Sequence, residues 1–478
     1  MNARTPNARW VALGALSLTQ LIVSLGVTII NSALPKVQGT LGFSNGDRQW
    51  LITAYALAFG SLLLLGGRLS DFWGHRRALV LGLSGFALAS LGCGVATNYT
   101  TLVAARAAQG VCGALIAPAA LAALAMTFRE SRSRAQAFSF YGAIGGSGVA
   151  VGLVVGGVLT QWLTWRWCLG ISAVLALVAL GGVLVSLPND KGDAGVRIDG
   201  LGALLTSASL FGLVFGFGHA VSSGWASQGT WGSLVASGLF GLVFLRWRQQ
   251  TAVPLLPRRI LRHRTRTGSL IALLTTSMGI YGVSLELTYY FENVLHDTPL
   301  RTGMYFVPLV AALAVSATVA SARLLASVGP RPLVPVGMVL AMMGMILFTR
   351  LTPTASYASA VMPGLVLVGL GLGLILAPAT AAVTAGTTPS IAGAASALVS
   401  TAQQIGASIG TALLNTIALT TTSRYLHNHA GQWTDLLVRG IVHGNAVAFW
   451  WAAGFFGVGA VTSFIFLETG ANELGRDD

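Results

Sequence analysis

Apolar stretches long enough to cross a lipid bilayer recur along almost the whole chain of 478 residues. A hydrocarbon core of roughly 30 Å takes about 20 helical residues to cross. The chain is 54% hydrophobic and 9% charged, whereas a soluble domain carries about 25% charged residues. This pattern leaves no room for a sizeable soluble domain and predicts a membrane protein that crosses the bilayer many times. The fourteen predicted helices lie near residues 10–34, 48–67, 78–96, 102–127, 136–161, 168–187, 200–218, 231–246, 268–291, 303–325, 332–349, 358–384, 395–420 and 445–467.

The net charge of +14 comes mainly from connectors on one predicted side of the membrane. Basic residues concentrate on the cytoplasmic side of membrane proteins, and the more basic connectors lie on the same predicted side as the N-terminus. Because the number of helices is even, both termini are expected in the cytoplasm. The most basic connector, from Arg246 to Arg266, is also suited to contact anionic lipid heads. The charge is explained without a nucleic-acid partner, and we expect a location in a bacterial inner membrane.

The chain also repeats itself. Four residues of one connector and a short apolar motif each occur twice, in equivalent halves. The repeated residues are Arg68, Leu69, Gly74 and Arg76, which match Arg323, Leu324, Gly329 and Arg331, and the segment Gly113–Ala119, which matches Gly373–Ala379. Halves of equal orientation form transporters with a substrate cavity at their interface.

We therefore predict an all-α fold with two six-helix bundles in parallel repeat. The N-terminal bundle spans 1–190, a two-helix insert spans 191–250, a basic cytoplasmic connector spans 251–267, and the C-terminal bundle spans 268–478.

Three cysteines, Cys93, Cys112 and Cys168, lie in or beside apolar stretches without CxxC spacing, which indicates neither a metal site nor a disulfide framework. The sequence lacks a catalytic triad, a phosphate-binding glycine loop and metal-ligand spacing. We expect neither an enzyme nor an ATP-driven pump, and no cofactor.

Three motifs identify a family. A predicted cytoplasmic loop contains Gly67, Arg68, Asp71, Gly74, Arg76 and Arg77; the fourth helix contains Leu102, Arg106, Gln109 and Gly110; the fifth contains Gly148, Gly152, Gly156 and Gly157. Together these resemble the signatures of the major facilitator superfamily, in its fourteen-helix drug:proton antiporter branch. The resemblance covers almost the full length. It implies multidrug or antibiotic efflux by alternating access, driven by protons. We expect the protein to act as a monomer.

Two positions depart from that branch. Gly26 occupies the place of an aspartate in the first-helix signature, and Leu153 replaces the usual proline of the fifth helix. One membrane carboxylate is therefore missing from the N-terminal half. Since Arg106 is retained, the sequence favours neutral or anionic substrates over cations.

Arg106 and Glu286 are the candidate residues for proton coupling within the spans. Arginine in hydrocarbon costs about 3 kcal/mol on insertion scales, so Arg106 serves either coupling or gating, as the resemblance implies, or extends to the outer interface. Glu286 is a carboxyl group that can exchange a proton, and a nearby cationic substrate can compete with that proton for its charge. The alternative is an interfacial position beside an aromatic belt.

Asp71 lies among arginines, where an acid can bind the positive N-terminal end of a helix from the opposite half. Such a latch would favour an outward-open state, and the alternative is a solvated turn. The glycines at 148, 152 and 156 share one helix face, which serves close packing or, as the resemblance implies, suppression of leak.

Sparse polar side chains in the spans are the candidates for a substrate cavity, or else ordinary contacts between helices. They are Asn31, Tyr55, Gln109, Tyr141, Gln403, Gln404 and Asn415. The leading hypothesis is export of small hydrophobic compounds in exchange for protons. The alternatives are an uncoupled facilitator or importer of a metabolite, and a membrane receptor that binds its ligand without moving it.

Overall fold

The computed structural model describes residues 6–43, 45–128, 131–189, 192, 199–251, 263–320, 324, 328–385, 389–429 and 435–467. Within these ranges the regular structure is helical, without β-strands. The helices of the first half are α1 Pro6–Leu41, α2 Asn45–Trp73, α3 His75–Gly94, α4 Tyr99–Thr127, α5 Ser131–Trp162 and α6 Trp165–Ser186. The insert contains α7 Gly200–Ser223 and α8 Gln228–Gln250. The second half contains α9 Arg264–Tyr289, α10 Pro299–Tyr305, α11 Val307–Val319, α12 Pro330–Phe348, α13 Met362–Thr384, α14 Pro389–Asn428 and α15 Leu436–Phe466.

Thirteen helical segments among the described residues are long and apolar enough to cross a membrane. α5, with 32 residues, also exceeds the about 20 residues that a crossing needs. α10 and α11 together make one crossing, since they form a single span from Leu300 to Val319. Large apolar side chains such as Leu88 and Val185 are exposed on the outside of the molecule, which is the arrangement that lipid favours.

The two halves pack by the same scheme. In the first, α1 contacts α5 and α6, while α4 contacts α2 and α3. In the second, α9 contacts α14 and α15, while α13 contacts α11 and α12. The equivalent glycines Gly74 and Gly329, which precede α3 and α12, both have positive φ, at 91° and 73°. The predicted parallel repeat of two six-helix bundles is confirmed.

The insert helices α7 and α8 pack against each other, and α7 also contacts α2 and α14. The Asp199 side chain caps α7, since its Oδ1 accepts a hydrogen bond from the backbone N–H of Gly202 over 2.8 Å. The same oxygen accepts a hydrogen bond from Trp247 Nε1 of α8 over 3.0 Å. At the other end of α7, Trp225 Nε1 donates to Thr416 Oγ1 of α14 over 2.8 Å. The insert is therefore fixed to one side of the interface between the halves.

Several helices are longer than their apolar stretches. α1 continues to Leu41 and α14 runs through 40 residues, because a helix satisfies its own backbone beyond the hydrocarbon as well as within it. The tenth predicted helix, near 303–325, breaks at Phe306 into α10 and α11. Pro308 follows this break in the first turn of α11, where its missing N–H is tolerated. Residues 252–262, most of the basic connector, lie outside the described residues.

Candidate functional site

A central cavity of about 130 Å³ lies between the two bundles. Helices α1, α2, α4 and α5 face α9, α13 and α14 across it. Its polar lining consists of Gln20, Ser24, Tyr141, Thr276, Ser277, Tyr281, Ser284, Thr380, Ser400, Gln403 and Gln404.

None of the described residues that line this cavity is charged. Tyr141 Oη donates to Gln20 Oε1 over 2.8 Å, which joins α5 to α1 at the wall. The apolar part includes Phe59 and Phe138. Aromatic faces with a few hydroxyl and amide groups suit an uncharged organic molecule that carries hydrogen-bonding groups.

One end of the interface is closed by a contact that we call the latch. The backbone N–H of Gly393, in the first turns of α14, donates to Asp71 Oδ1 of α2 over 2.8 Å. Arg68 Nη1 lies 4.0 Å from Asp71 Oδ2. The Asp71 side chain is thus buried, at 3% exposure, and is not part of a solvated turn.

Glycine residues allow the two halves to approach closely enough to form the latch. A Cβ at Gly393 would overlap Asp71 Oδ1, and a Cβ at Gly67 would lie 2.6 Å from Ala397 Cβ. Real Cβ atoms do not approach other atoms so closely. The latch therefore needs a glycine on each side.

Two further contacts close the same end. Arg134 Nη2 of α5 donates to the Thr384 carbonyl at the end of α13 over 2.8 Å. Ser139 Oγ, one turn further along α5, donates to the Ala317 carbonyl of α11 over 2.8 Å. Together with the latch, these contacts separate the cavity from this end of the molecule.

The remaining loop-signature residues have other positions in the first bundle. Arg76 Nη2 donates to the Leu184 carbonyl of α6 over 3.0 Å, Arg77 is exposed, and Gly74 provides the turn between α2 and α3.

Arg106 is fully buried rather than extended to an interface. Its Nε donates to the Leu51 carbonyl and its Nη1 to Gln109 Oε1, both over 3.0 Å. Its guanidinium lies 4.7 Å from the centre of the Tyr55 ring, a cation–π contact. Arg106 therefore ties α4 to α2 inside the first bundle and does not line the cavity.

Tyr55 fills the space beside Gly26. A Cβ added at Gly26 would lie 3.0 Å from Tyr55 Oη and Cζ, and Tyr55 Oη donates to the Val23 carbonyl over 3.0 Å. The tyrosine ring thus occupies the direction in which an acidic side chain at position 26 would point, and it faces Arg106 with its π system.

The glycines of α5 divide between two neighbours. Gly148 faces α1, where a Cβ would overlap Ser24, whereas Gly157 faces Leu300 of α10 in the other half, with a Cβ-to-Cα distance of 3.4 Å. Gly152 and Gly156 are buried, and Gly156 accepts a hydrogen bond from Cys168 Sγ of α6. These glycines allow close packing on both sides of α5.

Glu286 is 2% exposed, is absent from the cavity lining and has its carboxyl group against Asn445 of α15. The main-chain carbonyl of Glu286 accepts from Asn445 Nδ2 over 3.3 Å. A substrate in the central cavity would not contact its carboxyl group, so direct competition between a cation and a proton at this residue is not supported by the geometry.

A family model described as Major Facilitator Superfamily matches residues 16–411. This chain belongs to the Major Facilitator Superfamily. It is a membrane transport protein with many membrane-spanning helices.

Two relatives of this chain have names that specify antibiotic resistance or antibiotic export. The chain is 42% identical over 473 residues to the puromycin resistance protein pur8 of Streptomyces alboniger, covering 98% of this chain and 93% of the relative. It is 33% identical over 423 residues to the cephamycin export protein CmcT of Amycolatopsis lactamdurans, covering 87% and 86%.

A solved structure of the proton:xylose symporter XylE aligns with a TM-score of 0.68 and 13% identity, over 98% of this chain and 97% of that one. At this identity the match demonstrates the major facilitator fold alone.

The predicted cavity residues of this major facilitator fall into two groups. Tyr141, Gln403 and Gln404 line the cavity. Tyr55, Gln109 and Asn415 are buried elsewhere, and Gln109 Nε2 donates to Ser90 Oγ of α3 over 2.7 Å. The side chain of Asn31 lies outside the described residues.

Sequence reasoning missed eight polar residues that also line the cavity: Gln20, Ser24, Thr276, Ser277, Tyr281, Ser284, Thr380 and Ser400. Gln20, a lone amide in the first apolar stretch, was a signal of the same kind as Gln403. The hydroxyl groups gave no signal, because serine and threonine also bond to their own helix, as Ser284 Oγ does to the Ile280 carbonyl.

Proposed function

We propose that this major facilitator exports small uncharged or weakly charged organic compounds, such as antibiotics or other secondary metabolites, in exchange for entering protons. The observation that supports it is the uncharged cavity between the bundles, closed at one end by the Asp71–Gly393 latch. The relatives whose names specify puromycin and cephamycin support the class of substrate.

The latch end corresponds to the cytoplasmic side. The positive-inside pattern of the sequence supports this orientation, since Arg68, Arg76, Arg77 and Arg134 all lie at that end. Both termini are then cytoplasmic, in the bacterial inner membrane. With the latch formed, the cavity is closed to the cytoplasm, and breaking the latch opens it there for substrate entry.

Protons supply the driving force. One proton that crosses roughly 150 mV provides about 3.5 kcal/mol, which sustains a concentration ratio of a few hundredfold. Glu286 is the residue that takes up the proton, Asp71 controls the cytoplasmic gate, and Arg106 holds the first bundle in shape.

The cavity favours neutral substrates over anions. Arg106 was the reason to expect anionic substrates from the sequence. Its guanidinium is enclosed by Leu51, Tyr55 and Gln109, so it is not available to a substrate in the cavity. Polar recognition in the cavity comes from amides and hydroxyl groups. The protein acts as a monomer, in which one chain encloses the whole cavity.

The experiment measures puromycin uptake into everted vesicles from cells with and without the protein, under an imposed proton gradient. We expect accumulation that depends on the chain and collapses with an ionophore. The inactive control is Asp71→Ala, which removes the latch acceptor.

Transport that persists in the presence of the ionophore would show that the protein is an uncoupled facilitator and not a proton exchanger. Absence of transport across neutral, cationic and anionic probes, with ligand binding retained, would overturn export altogether.

A further inference from the structure

The insert helix α7 runs along the contact line between α2 of the first bundle and α14 of the second, which we call the seam. α7 has 24 residues, about 36 Å at the helical rise, and a hydrocarbon core measures roughly 30 Å. Near the latch, a buried cluster contains Leu64 of α2, Leu210 of α7 and Ala397 of α14. Beyond the other end of α7, Trp225 is bonded to Thr416 of α14. The helix therefore covers the seam through the whole thickness of the membrane.

The side of α7 that faces away from the seam packs against α8. Ser209 Oγ donates to the Ser237 carbonyl over 2.9 Å, and Ser237 Oγ donates to the Ser209 carbonyl over 2.7 Å. A Cβ added at Gly212 would lie 2.9 Å from the Ser233 carbonyl oxygen, so the two helices approach each other closely. The reciprocal pair of hydrogen bonds fixes the rotation of α7 about its own axis.

The opposite side of α7 faces the seam. Leu210, Val214 and Gly218 follow one another at intervals of four residues, which places them on one helix face. A Cβ at Gly218 would lie 3.9 Å from Thr53 Cγ2 of α2. Val214 is 5% exposed, whereas Leu204, on a flank of the helix, is 65% exposed. Val214 is thus at the centre of the face that meets the bundles.

The three helices converge at Gly60 of α2. A Cβ added there would lie 3.0 Å from Gln404 Cγ of α14 and 3.4 Å from Val214 Cγ2 of α7. Gln404 lines the cavity, and so does Phe59, the neighbour of Gly60. Val214 is absent from the lining, so it lies behind Gln404 as seen from the cavity. At this level only Gln404 and α7 separate the cavity from the lipid side of the seam.

The side-chain amide of Gln404 is available to a substrate. Within the part of the chain that the structure describes, no protein group hydrogen-bonds to this amide, and Ser408 Oγ donates to the main-chain carbonyl of Gln404 instead, over 2.9 Å. An amide has two N–H donors and an acceptor oxygen, and exposure of these groups to lipid without a partner is costly. The position of α7 keeps lipid away from them.

We propose that α7 forms the wall of the substrate site at the seam, where it excludes lipid and where Val214 holds the Gln404 amide in position to bind substrate. Val214 is a positioning residue, because it acts through Gln404 and does not itself line the cavity. This inference deepens the proposed function, since it rests on export of organic compounds and assigns the two-helix insert a role in selecting them. A compound dissolved in the bilayer does not enter the cavity through the seam.

Transport kinetics test the positioning role, with puromycin as the probe in everted vesicles. Val214→Ala leaves room behind Gln404, so the amide can withdraw from the cavity. We expect the KM for puromycin to rise about fivefold, the value of one lost hydrogen bond, with an unchanged maximal rate. Val214→Ile, which keeps a branched side chain behind the amide, should retain the KM of the wild type.

A double-mutant cycle separates positioning from packing. In a Gln404→Ala background, Val214→Ala should change the KM by less than about twofold, because the amide that Val214 positions is gone. The matched control is Val243→Ala on the lipid side of α8, where Val243 is 51% exposed, and this variant should leave the KM unchanged. The same rise with and without Gln404, or no rise in Val214→Ala, overturns the positioning role.

Fluorescence quenching by lipid tests the wall without any substrate. A bimane label is attached at Gln404→Cys or at Val243→Cys in purified full-length protein, in bilayers whose acyl chains carry nitroxide groups. The wild type is the labelling blank, since Cys93 and Cys168 are buried and Cys112 is half-buried. We expect strong quenching in the Val243→Cys variant and little in the Gln404→Cys variant. Equal quenching in both overturns the wall, and this comparison decides the question even if the Val214 variants fail to fold.

The two proposals fail separately. Little quenching in the Gln404→Cys variant, with no transport of any probe, rejects export and keeps the wall. Proton-driven puromycin uptake by the wild type, together with strong quenching in the Gln404→Cys variant, rejects the wall and keeps export.

Discussion

Asp71 and Gly393 join the two halves of the molecule through a 2.8 Å hydrogen bond from the backbone N–H of Gly393 to Asp71 Oδ1. The bond places a buried carboxylate at the N-terminal end of α14, where the helix dipole stabilises negative charge. Because the two residues belong to different bundles, the bond breaks whenever the halves separate at this end.

Gly393→Ala should open the latch end. Its Cβ would overlap Asp71 Oδ1 and the Gly67 carbonyl, so we expect the proposed export to fall about tenfold or more, the effect of roughly 1.4 kcal/mol on the closed state. In a second measurement, Ser400→Cys is added as a reporter in the cavity, and we expect a thiol reagent applied at the latch end to label it faster in the Gly393→Ala variant. Gly14→Ala, where a Cβ meets no atom within 4 Å, is the control, and equal labelling in both variants would contradict this role.

Gly26→Asp should destabilise the first bundle, because its side chain would collide with the Tyr55 ring. Overpacking of this kind costs about 1–3 kcal/mol, measured as a lower midpoint of thermal unfolding in detergent. Adding Tyr55→Ala should recover part of the loss and bring a carboxylate towards Arg106. Gly39→Asp, at an exposed position with open space, should be neutral. A stable single variant would mean that Tyr55 does not fill this space.

Gln20→Glu should change the choice of substrate. It introduces a carboxylate into a wall whose described lining residues are uncharged, which attracts cations and repels anions. We expect the ratio of cationic to neutral probe transport to rise about tenfold, equivalent to about 1.4 kcal/mol. Gln38→Glu, near the end of α1 and absent from the cavity lining, is the matched control. An unchanged ratio would remove Gln20 from the binding surface.

Arg106→Lys should reduce transport strongly even though it keeps the charge. Lysine lacks the planar guanidinium that contacts the Leu51 carbonyl, Gln109 and the Tyr55 ring at the same time. At sites of this kind arginine and lysine are not interchangeable. We expect a loss of about 2–3 kcal/mol of stability for the broken bonds. Arg166→Lys, which alters a less buried arginine stacked on Trp165, should be tolerated. Equal effects in both would point to charge alone.

The N-terminal motifs predicted their surroundings with unequal success. Asp71 was recognised as a candidate from the arginines around it, but its contact with Gly393 depends on how α2 and α14 meet. Arg106 was recognised as important, but its enclosure by Leu51, Tyr55 and Gln109 depends on how α2 and α4 pack. Gln109, expected in the cavity, bonds to Ser90 of α3 instead.

Sequence by itself determined the membrane-spanning helices and the repeat of the two halves, and it singled out Asp71, because these follow from length, hydropathy and the order of motifs along the chain. The tertiary structure alone decided that Glu286 faces Asn445, that Tyr55 fills the space at Gly26, and that Gln20 lines the cavity. The physical reason is rotation about the helix axis. A helix in lipid is apolar on all sides, so its pattern does not reveal which face meets another helix, and only packing against its neighbours fixes that direction.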